Sequence, residues 1–123
     1  MSTSPVTVLV VDDAELNRDM LSRRLRQHGY VALVAASGEE ALRLLEEREG
    51  GGHGGIGLVF SDVIMPGGMT GVQLAEEVRR RRPGLPILLA TGYMEQLPDA
   101  RSLPFPVLPK PYKESELMSR IAD

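Results

Sequence analysis

The sequence of 123 residues contains no cysteine. That excludes disulfide scaffolds, thiolate metal sites and cysteine nucleophiles, so any chemistry has to use oxygen or nitrogen groups. It has no excess of positive charge: 17 acidic against 14 basic residues give a net charge of -3, which argues against a nucleic-acid binder working by bulk charge. It also lacks a long apolar run. Val6–Val11, behind an N-terminus Met1–Pro5 without a basic segment, is too short for a signal-peptide core or a membrane span, and a cytoplasmic protein is expected. What is present is ordinary for a globular chain, 42% hydrophobic and 25% charged. The length is that of one domain able to bury roughly two-thirds of its unfolded surface. A short tail over 1–5 and a single domain over 6–123 are expected.

Five short apolar runs read as buried strands: Val6–Val11, Val31–Ala35, Ile56–Ser61, Leu85–Ala90 and Phe105–Leu108. Helical patterns separate them. Leu16, Met20, Leu21 and Leu25 are expected on one stripe, closed by Gly29. Ser37-Gly38-Glu39-Glu40 and Thr70-Gly71-Val72-Gln73 carry the capping-box pattern ahead of two further helices. A last helix carries Leu117, Met118 and Ile121, while Met94–Leu103, interrupted by Pro98, predicts a short or irregular fourth helix. Strands alternating with helices give right-handed βαβ crossovers and hence an α/β fold, a flavodoxin-like doubly wound parallel sheet in the order 2-1-3-4-5 with helices on both faces. Gly50–Gly55 reads as an exposed loop. It follows a helix and enters a strand, the reverse of a phosphate-binding glycine loop.

Ligands of doubly wound sheets bind outside the carboxyl ends of the strands. There the sequence places Asp12-Asp13 after the first strand, Ser61-Asp62 after the third, Thr91-Gly92 after the fourth and Pro109-Lys110-Pro111 after the fifth. Singly, each has a plain explanation as a helix cap, a turn residue or a solvated charge. Together, three carboxylates, a hydroxyl and an ammonium converge on one edge. Three unpaired carboxylates at close range repel unless a cation neutralises them, and all-oxygen ligation suits a hard divalent ion such as Mg²⁺. The set suits phosphoryl transfer: Asp62 attacks phosphorus to give an acyl phosphate, Mg²⁺ and Lys110 neutralise the phosphoryl oxygens, and Thr91 donates to one of them. Backbone amides just after Asp62 and Thr91 are expected to complete the cradle.

The stretches Val8-Leu9-Val10-Val11-Asp12-Asp13, Ser61-Asp62-Val63-Ile64-Met65-Pro66, Leu89-Ala90-Thr91-Gly92 and Pro109-Lys110-Pro111-Tyr112 resemble the receiver domain of two-component response regulators. Leu16-Asn17-Arg18 and Gly38-Glu39-Glu40-Ala41-Leu42 extend the resemblance over essentially the whole chain. The resemblance implies that Asp62 is the phosphoacceptor, that Asp13 and Asp62 ligate Mg²⁺ directly with Asp12 assisting through water, and that the carbonyl of Ile64 is a main-chain ligand. Thr91 is then the switch hydroxyl that moves toward the phosphoryl group and Lys110 the lysine that pairs with that group; no further cofactor is implied. The implied partner is a histidine kinase or a histidine phosphotransfer protein. The implied role is that of a signalling phosphoacceptor rather than an enzyme, acting as a monomer or as a weak dimer once phosphorylated, without nucleic-acid or membrane contact.

Four features depart from the family pattern. Val107 stands where an aromatic switch residue is common, with Phe105 two residues earlier; the span from Thr91 to Lys110 is short and proline-rich; the loop Pro66–Gly71 is one residue longer; and the Gly50–Gly55 insertion is extra. Two rival functions remain at this level, a Mg²⁺-dependent phosphohydrolase with an aspartyl nucleophile and a receiver-like module that is never phosphorylated. Hydrolases of the first kind usually carry an Asp-x-Asp pair after the first strand, whereas these acids are adjacent. Elsewhere, Arg79–Arg82 reads as a solvated helix end, His28 and His53 as isolated, Met65, Met69 and Met94 as gap-fillers, and Tyr93 as a gate or a packing residue.

Overall fold

Every predicted apolar run contributes a strand, and the strands pair in parallel in the order β2-β1-β3-β4-β5. The structure, a computed structural model, describes residues 6–47, 55–63, 65, 68–92 and 105–122. Among these, the elements run β1 (Thr7–Val11), α1 (Glu15–Gln27), β2 (Val31–Ala35), α2 (Gly38–Glu47), β3 (Leu58–Asp62), α3 (Gly71–Arg81), β4 (Ile87–Thr91), β5 (Val107–Pro109) and α4 (Glu114–Ala122). The irregular helix expected over Met94–Leu103, and most of the Gly50–Gly55 loop, lie outside the described residues.

Alternation along the strands sends side chains to two apolar layers. Leu9, Val11, Val59 and Leu89 pack with Ala41, Leu42 and Leu45 of α2 and Leu74, Ala75 and Val78 of α3. Val8, Val10, Phe60, Leu88 and Leu108 pack on the other face with Leu21 and Leu25 of α1 and Leu117 of α4. Each such aliphatic side chain contributes about 1.5–3 kcal/mol when taken out of water. The central strands are buried on both faces and therefore hold their carboxyl ends rigidly.

The helix boundaries follow local chemistry. Thr70 caps α3 through a complete box, its hydroxyl accepting from the Gln73 amide at 3.1 Å while the Gln73 side chain accepts from the Thr70 amide at 2.9 Å. At α2 the Glu40 amide donates to Ser37 Oγ at 3.2 Å, but the Glu40 carboxylate reaches one residue further back, to the Ala36 amide. Gly29, at φ +89, ends α1; the Gly29 and Tyr30 amides donate to Arg26 and Leu25 carbonyls, a Schellman closure that the left-handed glycine makes possible.

The structure corrects three expectations. Leu21 and Leu25 are buried, whereas Leu16 is 83% and Met20 46% exposed; at about 100° per residue Leu16 lies on the opposite side of α1 from Leu25. The run Val31–Ala35 is a strand but not a fully buried one, because β2 is an edge with a single neighbour and leaves Val31 and Val34 exposed. Strands β3, β4 and β5 lie one or two residues downstream of the apolar runs. Pairing continues through polar residues, Asp62 opposite Ala90 and Thr91 opposite Pro109, so both polar residues belong to strand ends.

Candidate functional site

The order of the sheet reverses between β1 and β3, which opens a crevice at their carboxyl ends. The register places Val11 beside Ser61, Asp62 beside Ala90 and Thr91 beside Pro109. Asp12, Asp13, Asp62, Thr91 and Lys110 therefore share one rim, as the sequence reading requires.

Asp12 is 5% exposed and fixed at every polar atom. Its amide donates to the Ala35 carbonyl at 3.1 Å, Oδ1 accepts from the Ala14 amide at 2.9 Å, Oδ2 lies 3.5 Å from Asn17 Nδ2, and its carbonyl accepts from Arg18 Nη1 at 2.7 Å. Asp13 is exposed, and no hydrogen bond to its carboxylate is present among the described residues. Asp62 closes β3 with its side chain 17% exposed, and Lys110 Nζ donates to Asp62 Oδ1 at 3.2 Å. Lys110 is held in turn by its amide, which donates to the Thr91 carbonyl at 2.8 Å. Thr91 is completely buried.

Oxygens of Asp12, Asp13 and Asp62 lie within 4.8 Å of one another, the only metal-competent cluster of His, Cys, Asp or Glu among the described residues. Burial holds the Asp62 pKa above the ordinary 3.8; Lys110 opposes the rise by charge and hydrogen bond, and the charges of Asp12 and Asp13 add to it. The site thus carries negative charge that one lysine does not offset, and its donors are all oxygen. That set fits a hard divalent cation such as Mg²⁺. Ile64, whose carbonyl is the expected main-chain ligand, lies outside the described residues.

The loop after β3 is drawn tight. The Val63 amide donates to the Ala90 carbonyl at 2.9 Å and the Gly71 amide to the Val63 carbonyl at 2.7 Å. The Val63 amide is thus paired within the sheet, and the next amide after Asp62, that of Ile64, lies outside the described residues. A Cβ at Gly71 would lie 2.1 Å from the Asp62 carbonyl oxygen, so only glycine lets α3 start this close to the acid.

Two residues near the site carried no assigned role in the sequence reading. Tyr112 packs edge-on against Phe60, with centroids 6.1 Å apart at 76°, and burial together with the charges of Asp12 and Asp62 pushes its pKa up to about 12. It lines, with Asp12, Lys110, Met20 and Leu117, a cleft of about 530 Å³ between α1 and α4. Its position directly after Lys110-Pro111 is the only sequence signal it offers. Arg18 lies on α1, where helical periodicity marks it as a solvent residue, yet it reaches back to Asp12.

Other singled-out residues have structural partners. Arg80 and Arg81 pair with Glu77, Arg81 also with Glu46 at 2.8 Å, Arg82 donates to the Leu45 carbonyl at 3.1 Å, and Arg79 sits 5.6 Å over the Phe105 ring. His28 faces Glu114 at 3.3 Å, beside the Arg24–Glu114 pair. Met65 is buried, and Met69 fills the notch over Gly38, where a Cβ would lie 2.8 Å from its sulfur. His53, Tyr93 and Met94 lie outside the described residues, and Val107 and Phe105 both pack on the α2/α3 side of the sheet.

Comparison with known proteins agrees with this geometry. Residues 8–122 match the model of the response regulator receiver domain. The chain is 37% identical over 121 residues to the sensor kinase CckA of Brucella abortus (strain 2308), covering 95% of this chain and 12% of that protein. Among solved structures, chemotaxis protein CheY4 of Vibrio cholerae superposes with a TM-score of 0.80 at 29% identity, covering 96% of this chain and 97% of that one. Response regulator TrrA of Thermotoga maritima, in complex with Mg(2+)-BeF, gives 0.81 at 30% identity over 95% and 96%. The chain belongs to the response regulator receiver family, the phosphoacceptor modules of two-component signalling. Receivers bind Mg²⁺ at an acidic crevice of this kind and exchange phosphoryl groups with histidine kinases or phosphotransfer proteins. Neither rival function is favoured by these relatives. No helix among the described residues is long and apolar enough to cross a membrane.

Proposed function

We propose that Asp62 is the residue that takes the phosphoryl group, from a phosphohistidine on a partner kinase or phosphotransfer protein, in a Mg²⁺-dependent reaction within a receiver domain spanning 6–123, with 1–5 as a tail. The observation that carries this reading is the Asp62 carboxylate itself: at the end of β3, 3.2 Å from Lys110 and within 4.8 Å of the Asp12 and Asp13 oxygens. An Asp62 oxygen attacks phosphorus, the phosphorus–nitrogen bond of the donor breaks, and the imidazole leaves. Asp13 and Asp62, with the Ile64 carbonyl and with Asp12 through water, would hold Mg²⁺, which would supply positive charge to the phosphoryl oxygens.

Asp12 has both carboxylate oxygens engaged, which suits it to a water-mediated part, while exposed Asp13 suits a direct one. Lys110 releases Asp62 Oδ1 and pairs with the incoming oxygens, and Thr91 moves toward the phosphoryl group. Because Thr91 lies on β4 and Lys110 follows β5, that movement shifts an existing equilibrium between two packings of this edge of the sheet. The domain is read as a cytoplasmic monomer that signals rather than turns over substrate, with a weak phosphorylated dimer as the alternative. The test is intact mass after incubation with acetyl phosphate. A single phosphoryl adduct that requires Mg²⁺ and disappears in Asp62→Ala is expected; an adduct that persists in Asp62→Ala overturns the assignment.

A further inference from the structure

We propose that Arg18 is a positioning residue for cation binding: its bond to the Asp12 carbonyl fixes the β1–α1 turn on which Asp13 is presented. The inference rests on the reading that Asp12, Asp13 and Asp62 hold Mg²⁺. The start of α1 is unusual in having Ala14 at its N-cap, with no side-chain cap hydrogen bond. The turn is tied by the Ala14 amide, which donates to Asp12 Oδ1 at 2.9 Å, and by the Arg18 guanidinium, which donates to the Asp12 carbonyl at 2.7 Å. The Arg18 side chain thus reaches back from the first turn of α1 to clamp the first carbonyl after β1. The bond is charge-assisted, from a half-buried guanidinium to the carbonyl of a buried residue, and such bonds are the stronger kind.

Asp12 needs no help to hold its side chain, since Ala14 and Asn17 already engage it. Asp13 differs. It is exposed, and no described residue hydrogen-bonds to its carboxylate, so its place depends on the backbone on either side of it. On the Ala14 side the bond to Asp12 Oδ1 holds that backbone, and on the Asp12 side the Arg18 guanidinium holds it.

The two effects of Arg18 on Mg²⁺ have opposite signs. As a cation bonded to the turn that carries Asp12 and Asp13 it repels a divalent ion, so a purely electrostatic Arg18 predicts tighter binding when it is removed. As a clamp it favours the ion, so removal weakens binding. The experiment is a Mg²⁺ titration followed by amide NMR of the wild type, Arg18→Met and Arg18→Gln, with thermal unfolding in metal-free buffer. The expected result is roughly tenfold weaker Mg²⁺ binding in both neutral variants, the low end of what loss of a group that holds a metal ligand causes, with unfolding temperatures close to wild type. Binding as tight as wild type or tighter overturns the inference. Arg18→Gln gives the same reading should Arg18→Met not fold. A wild type without a saturable Mg²⁺ site at Asp12, Asp13 and Asp62 overturns the functional reading and this inference with it, whereas a binding wild type with unchanged variants overturns this inference alone.

Discussion

Gly71→Ala tests whether the approach of α3 to the end of β3 sets the acceptor site. The added Cβ would lie 2.1 Å from the Asp62 carbonyl oxygen, 2.8 Å from Val63 Cα and 2.9 Å from the Asp62 carbonyl carbon. An ordinary carbon–oxygen contact is about 3.3 Å, so the chains have to part by roughly 1 Å. All three atoms are backbone, so no rotamer change relieves the clash. Overpacking of this kind costs about 1–3 kcal/mol, and stretching the 2.7 Å bond from the Gly71 amide to the Val63 carbonyl adds about 1 kcal/mol. The expected loss is about 2–4 kcal/mol in urea unfolding, a large share of an ordinary domain's stability. The Asp62 main chain moves with it, so Mg²⁺ affinity and phosphoryl uptake fall by on the order of tenfold or more. Gly84→Ala is the control, because nothing lies within 4 Å of its added Cβ and its φ is not positive. A Gly71→Ala variant within about 0.5 kcal/mol of wild type, binding Mg²⁺ normally, would show that the approach of α3 does not set the acceptor site.

Lys110→Ala removes the cation 3.2 Å from Asp62, so Mg²⁺ binding is kept or tightened while the amide shifts of Thr91 on saturation with a phosphoryl mimic are lost. Weaker Mg²⁺ binding in that variant contradicts the role given to Lys110. The Asp62 pKa lies above its unfolded value; its contribution to stability is therefore present at low pH and lost as pH rises through the folded pKa. In metal-free buffer Asp62→Asn consequently unfolds at a higher temperature than wild type at neutral pH, and the gain shrinks as pH is lowered toward 3.8. A lower unfolding temperature for Asp62→Asn at neutral pH would show that Lys110 outweighs burial and the neighbouring acids. Thr70→Ala removes the hydroxyl that accepts from the Gln73 amide, while the bond from the residue 70 amide to Gln73 Oε1 stays, and is expected to cost about 1 kcal/mol; chemical denaturation checks it, and an unchanged midpoint counts against the cap.

The sheet order and the convergence of Asp12, Asp13, Asp62, Thr91 and Lys110 were legible because parallel βαβ units bring every strand's carboxyl end to one rim. Apolar residues of α1 are not all core residues: Leu16 lies five residues before Leu21, and that spacing carries it away from the core face. Exposure of β2 could not be read from Val31–Ala35, because burial of a strand depends on its neighbours in the sheet rather than on its own residues. The strand ends shifted because backbone pairing is indifferent to the polarity of Asp62 and Thr91. Arg18, Gly71 and Tyr112 act through the carbonyls, the close backbone approach and the ring packing of residues far from them in the chain, or a turn away. Such contacts leave no pattern in composition or spacing.

Which of Asp12, Asp13 and Asp62 carries the phosphoryl group can be read from the covalent product. The most direct measurement is reductive trapping: the protein is incubated with acetyl phosphate and Mg²⁺, treated with borohydride, digested and sequenced by mass spectrometry. An acyl phosphate is reduced to an alcohol where it formed, so homoserine is expected at position 62, only in the presence of Mg²⁺. Homoserine at position 12 or 13 instead, or at 62 equally without Mg²⁺, would contradict it.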